Sequence, residues 1–231
     1  MPRRKTALAT ILDGLEARYG PPEGPPTTDA FELLLLENVA YLVDDRRRAE
    51  AFQTLKARVG TRPERILAAS TAALRQATSR GILADQRVGK LLRCAEVAQK
   101  HFGGGLADTL RGPLPEARKA LMKFPSIGEP GAEKVLVFTG AHPVLALDTN
   151  ALRVLLRLGF GEEKKAYAAS YRSAQEAATA QLDPDVPTLR RAHLLLRRHG
   201  QELCRRTKPR CPECPAADRC AFYRRGVPSR G

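Results

Sequence analysis

Cys204-Arg205-Arg206-Thr207-Lys208-Pro209-Arg210-Cys211-Pro212-Glu213-Cys214-Pro215-Ala216-Ala217-Asp218-Arg219-Cys220 holds four of the chain's five cysteines. Their spacing is Cys-x6-Cys-x2-Cys-x5-Cys, and the prolines between them predict a loop wrapped around something rather than a regular element. The sequence shows no secretory signal. A reducing compartment is therefore expected, where clustered thiols are more often metal ligands than disulfides. Zinc sites usually set two close pairs apart by a longer spacer, whereas only one close pair is present here, with an outlying cysteine on each side. Four thiolates with no other ligand nearby also suit a [4Fe–4S] cluster. Spacing alone leaves both metals open.

The loop is basic. Of the six residues between Cys204 and Cys211, Arg205, Arg206, Lys208 and Arg210 carry positive charge. From Pro187 to the end, twelve Lys and Arg stand against three Asp and Glu, a local excess of nine (12 − 3), within a chain of net charge +14. Such a field favours a polyanionic partner, most simply nucleic acid. A basic loop held rigid by a metal is a plausible phosphate clamp, with Arg205, Arg206 and Lys208 as its contacts. At 231 residues the chain is long enough for one large or two modest domains with real cores. There is no apolar run of membrane-spanning length. The segment after Pro2-Arg3-Arg4-Lys5 is amphipathic rather than signal-like, so a soluble, cytoplasmic protein is expected.

Upstream of the loop the patterning is helical throughout. Leu8, Ile11, Leu12 and Leu15 share one face of a helix over 6–19. Gly20 to Pro26 then breaks regular structure. Thr28 or Asp29 caps a helix whose apolar run, Phe31 through Leu42, goes nearly all round and predicts burial. Further helices are expected over 45–59, from Pro63, over 86–102, 115–123, 130–139, 149–159, 163–181 and 187–203. The fold class is all-α. Cys94, the fifth cysteine, reads as a small buried hydrophobe.

Two segments carry the remaining chemistry. Phe124-Pro125-Ser126-Ile127-Gly128-Glu129-Pro130-Gly131-Ala132 joins two helices through a glycine-bearing turn. Such a turn exposes backbone amides beside the positive end of the next helix and makes a site for a DNA phosphate. Leu147-Asp148-Thr149-Asn150 then opens a helix, and Asp148 is placed as its N-cap.

His199-Gly200, Cys204, Lys208-Pro209-Arg210-Cys211, Cys214, Asp218 and Cys220 together resemble the cluster loop of endonuclease III, the iron–sulfur member of the helix–hairpin–helix DNA glycosylases. The turn at Pro125–Gly131 followed by Asp148 resembles the hairpin and companion aspartate of the same superfamily. The likeness runs from about Asp29 to Tyr223. It implies two helical lobes: a six-helix barrel with the helix–hairpin–helix over 25–142, and a [4Fe–4S] cluster lobe made of 1–24 and 143–231, with Cys204, Cys211, Cys214 and Cys220 as ligands. It implies a monomeric, nucleoid-associated base-excision-repair DNA glycosylase acting on lesion-bearing double-stranded DNA. Ser126, Ile127, Gly128 and Gly131 would contact the backbone, and Asn38 and Tyr41 would line the base pocket. Asp148 would stabilise the positive charge that develops on the sugar or activate the attacking water.

The departures from that family are specific. Bifunctional relatives place a lysine two residues after the hairpin glycine, and its amine forms a Schiff base with the sugar. That position here is Pro130, so the resemblance implies a monofunctional enzyme with water as nucleophile. Ser126 also replaces a hairpin glycine. Two alternatives stay open: an abasic-site lyase using another amine, such as Lys134 one turn on, or a DNA-binding or redox module that has lost catalysis.

Overall fold

The computed structural model describes residues 5–226; the basic Pro2–Arg4 run and Arg230 lie outside them. The regular structure among the described residues is helical: α1 (Ala7–Tyr19), α2 (Ala30–Val39), α3 (Asp45–Arg58), α4 (Pro63–Ala68), α5 (Thr71–Thr78), α6 (Ala84–Phe102), α7 (Leu106–Arg111), α8 (Leu114–Leu121), α9 (Glu129–Thr139), α10 (Thr149–Leu158), α11 (Tyr167–Thr179), α12 (Val186–Glu202) and α13 (Ala221–Arg224). The all-α expectation is met. Two compact units make up the chain, Pro25–His142 and the combination of Met1–Gly24 with Pro143–Gly231.

The unit Pro25–His142 is organised around α2. Asp29 caps it by accepting the Glu32 N–H at 2.8 Å. The four consecutive residues Leu33 to Leu36, which together go round the helix, are all buried, as an all-round apolar helix requires. α2 packs against α3, α6, α7 and α9. Each fully buried leucine contributes about 1.5–3 kcal/mol relative to leaving it in water. Pro63 opens α4 at its first position, where its missing N–H costs nothing. α5 and α7 are short helices that periodicity did not reveal.

In the other unit, α12 packs along α10, and α1 docks on α12. Arg191 ties α12 to α1, with Nη2 2.9 Å from Asp13 Oδ1 and Nε 2.7 Å from Glu16 Oε2. Gly200 permits the close approach of α12 to α10, since a Cβ there would stand 2.8 Å from Asn150 Cβ. The start of α11 differs from expectation: it begins at Tyr167, not at residue 163. Ser170 Oγ accepts the Lys164 N–H at 2.8 Å and folds the preceding segment into a loop. Gly161, at φ +88°, lies against the Ala174 backbone, where no side chain would fit.

Candidate functional site

Asp148 is the N-cap of α10, and its carboxylate accepts four hydrogen bonds. Oδ1 takes the backbone N–H of Asn150 at 2.9 Å and of Ala151 at 2.7 Å. Oδ2 takes Asn150 Nδ2 at 3.3 Å and Arg197 Nε at 3.0 Å. The first pair is the ordinary work of a helix cap. The second pair comes from side chains and fixes the other oxygen as well. Asp148 keeps 28% of its side-chain surface exposed, so a fixed negative charge faces outward from the helix start. Tyr167, on α11 and half exposed, has its phenol raised above the ordinary range by burial and then by the charge of Asp148.

α10 also straps the cysteine loop. Arg153 Nε donates to the Cys204 carbonyl at 2.9 Å, and its Nη2 reaches the Gly200 carbonyl at 2.8 Å and Asn150 Oδ1 at 2.9 Å. Arg157 donates to the carbonyls of Arg205 at 2.7 Å and Arg206 at 3.2 Å, and its Nη1 lies 3.4 Å from Cys204 Sγ. Cys204, Cys211, Cys214 and Cys220 line one pocket, walled by apolar side chains that include Val154, Leu158 and Phe222. Among the described residues, no three or more His, Cys, Asp and Glu stand closely enough to hold a single metal ion. Donors face the sulfurs: the Ala216 N–H lies 3.4 Å from Cys214 Sγ, and His199 Nε2 also lies 3.4 Å from it. The far nitrogen, His199 Nδ1, is 3.0 Å from the Tyr19 hydroxyl. Burial holds the imidazole down to about 4, so it is neutral near pH 7. In the tautomer whose Nδ1 accepts from Tyr19, the ring proton sits on Nε2, towards the sulfur. Burial pushes the Cys214 thiol up to about 11 and Cys211 upward as well, a cost that a bound cationic centre would offset.

Arg205, Arg206 and Lys208 are exposed on the loop between the first two cysteines. Arg210 differs from them, because Glu213 holds its guanidinium through two bonds of 2.6 and 2.5 Å.

The turn before α9 is anchored by buried Phe124 and Ile127 on either side of an exposed Ser126. Ser126 adopts φ +63°, the left-handed conformation that a glycine would take without strain. Its hydroxyl is engaged by the ammonium of Lys90, from α6. Gly128 caps α9 without any side-chain bond, which leaves first-turn N–H groups without helical acceptors. Pro130 sits in that first turn.

Asn38 is fully buried, and its Nδ2 donates to the Leu34 carbonyl at 2.9 Å and to the Pro125 carbonyl at 3.0 Å. In this conformation it braces the hairpin from inside. Tyr41 is 42% exposed, with the Arg87 guanidinium 4.7 Å from its ring centre. Lys134 Nζ lies 2.6 Å from Glu37 Oε1, and the pair is about one-quarter exposed. Leu42, expected to be buried with α2, instead lies exposed past the helix end at Val39, and sequence reasoning missed Arg197, Lys90 and the exposed Ile82 and Leu83 that join Leu42 beside Tyr41. The Ile82 N–H donates to the Tyr41 carbonyl at 3.4 Å, which joins the two loops. Leu42 and Leu83 both have positive φ, and no local sequence signal marks a leucine for that conformation.

No model of a known protein family matches the chain. It is 30% identical to endonuclease III of Rickettsia conorii over 118 residues, 51% of this chain and 53% of that protein. The chain thus spans about half the length of that relative. With endonuclease III of Thermotoga maritima it shares 24% identity over 204 residues, 88% of each chain. Among solved structures, a trapped endonuclease III–DNA covalent intermediate superposes with a TM-score of 0.71 at 20% identity, covering 94% of this chain and 95% of that one. A thermostable thymine-DNA glycosylase does so with the same score, identity and coverage. No helix among the described residues is long and apolar enough to cross a membrane. In sequence and in fold, the chain is endonuclease III-like.

Proposed function

We propose that the protein is a base-excision-repair DNA glycosylase that hydrolyses the N-glycosidic bond of a damaged or mismatched base, acting as a monomer on lesion-bearing duplex DNA. The observation that carries this reading is the Asp148 carboxylate, fixed by four donors at the start of α10. With the base turned out of the stack, the bond between C1′ and the base nitrogen breaks. The electron pair leaves with the base, and positive charge develops on the sugar. A carboxylate already held in place stabilises that charge without reorganising. Because each of its oxygens already accepts two hydrogen bonds, its contribution is charge rather than proton abstraction. Water adds to C1′, and the proton it releases passes through solvent to neutralise the departed base, leaving an abasic site in an intact strand.

The nucleophile follows from what the hairpin lacks. Pro130 offers no amine, and Lys134 one turn on is engaged by Glu37 at 2.6 Å, which disfavours a Schiff base. The turn at Ser126–Gly131 with the first-turn amides of α9, and the exposed Arg205, Arg206 and Lys208, supply backbone contacts without a sequence code. The exposed Ile82 and Leu83 are of the kind that wedges between base steps. Cys204, Cys211, Cys214 and Cys220 would hold a [4Fe–4S] cluster. Four thiols lining one apolar-walled pocket, with donors facing Cys214 Sγ, fit such a group. When bound, the cluster supplies a rigid staple for the basic loop, and α10 carries the strap that holds that loop.

Asp148→Asn tests the assignment. Asparagine caps a helix about as well as aspartate, so folding and DNA affinity should persist. Base release in single turnover should fall by about 10²-fold or more, the scale of losing one well-placed charge-stabilising group. Release at the wild-type rate would reduce Asp148 to a helix cap.

A further inference from the structure

We propose that Arg197 is a positioning residue for Asp148, holding the carboxylate through Oδ2 so that its charge points at the reacting sugar. The proposal rests on the reading that Asp148 is the central group of the reaction. The backbone N–H groups of Asn150 and Ala151 both bind Oδ1. A cap held through one oxygen leaves the carboxylate free to swing about that anchor. Oδ2 has two partners: Asn150 Nδ2 at the long distance of 3.3 Å, and Arg197 Nε at 3.0 Å. The arginine therefore supplies the shorter and charge-assisted contact, the stronger kind.

Its placement suits the role. Arg197 lies on α12, the helix packed along α10, and reaches across from 49 residues away in sequence. The two side chains are 21% and 28% exposed, so solvent screens the pair only in part. The other neighbours are differently placed. Arg153 is committed to the Gly200 and Cys204 carbonyls and to Asn150 Oδ1, and it touches Asp148 only through Asn150. His193, one turn before Arg197, binds the Ala146 carbonyl at 2.8 Å. Tyr167 on α11 lies within electrostatic reach of Asp148. Arg197 is thus the charged side chain in direct contact with the carboxylate.

A double-mutant cycle tests this, using Arg197→Leu, Arg197→Lys, Asp148→Asn and the Leu/Asn double variant. The substrate is whichever duplex the wild type acts on among those carrying uracil, guanine-mispaired thymine, an oxidised pyrimidine or an alkylated purine. Arg197→Leu should lower the single-turnover rate by about 10- to 10²-fold, the scale of a misplaced catalytic group, with DNA affinity unchanged. Arg197→Lys should recover most of the loss. In the Asp148→Asn background the leucine substitution should change the rate less than about 3-fold, because a residue acting through Asp148 has nothing left to position. A wild-type rate in Arg197→Leu, or the same drop in both backgrounds, would overturn the proposal. Should Arg197→Leu fail to fold, Arg197→Gln takes its place in the cycle. Full release by Asp148→Asn alone would instead strike the reading on which it rests. One measurement does not depend on turnover. The Arg197 Nε–H resonance should be protected from exchange in the wild type and released in Asp148→Asn; equal exchange in both would overturn the pairing.

Discussion

At the scale of single residues, Asp148 is held both by neighbours in sequence and by Arg197 from 49 residues away. Asp148 was legible as a helix cap because a cap is local, its donors being two and three positions on. Arg197 was not legible, because it looks like any basic residue on α12 until the fold brings it to Oδ2. Asn38 shows the same limit from the other side. The family resemblance places it at the base pocket, and in the structure its amide donates to the Leu34 and Pro125 carbonyls. Asn38→Ala should therefore cost about 2–3 kcal/mol of stability, the sum of a lost buried bond and a small cavity. Chemical denaturation reads this directly. Unchanged stability with impaired base release would restore the pocket role. Ser126→Gly is the complementary case. It relieves a left-handed serine but adds unfolded-state freedom, so net stability should move by less than about 1 kcal/mol. A larger change in melting experiments would mean that the Lys90 contact matters more to the fold than the backbone conformation does.

At the scale of elements, the long periodic helices were readable, and the short ones only where a proline opens them, as in α4 and α8. α2, α6, α10 and α12 follow from apolar spacing and caps, whereas α5 and α7, of eight and six residues, offer too few turns for a period to show. The hairpin and the cysteine loop were readable as turns, but the helix that straps the loop was not. No local pattern marks Arg153 and Arg157, and the structure turns them onto loop carbonyls. Arg157→Ala should weaken the grip on residues 204–206. Purified protein should then carry less iron and lose its broad visible absorption faster in air than the wild type. Identical iron content and bleaching would show that the strap does not support the cluster. Replacing Arg205, Arg206 and Lys208 with alanine should flatten the salt dependence of DNA binding by up to about 2–3 in slope, near 0.9 for each phosphate no longer neutralised. An unchanged slope would place the clamp elsewhere.

At the scale of the whole molecule, the net charge of +14 and the two helical units fit a protein that binds a polyanion and works on one nucleotide of it. Charge and the all-α class were plain from composition and pattern. The lesion is not written in any one motif, because a base pocket draws single residues from several loops. The proposed water nucleophile rests on Pro130 on the first turn of α9 and on the Glu37 partner of Lys134. The most direct measurement follows the products of a single turnover on duplexes carrying uracil, guanine-mispaired thymine, oxidised pyrimidine or alkylated purine, before and after alkali and with borohydride present. The account predicts a released base from at least one duplex, a strand that breaks only after alkali, and no protein–DNA adduct trapped by borohydride. Strand breaks before alkali together with a trapped adduct, or no base released from any duplex, would contradict it.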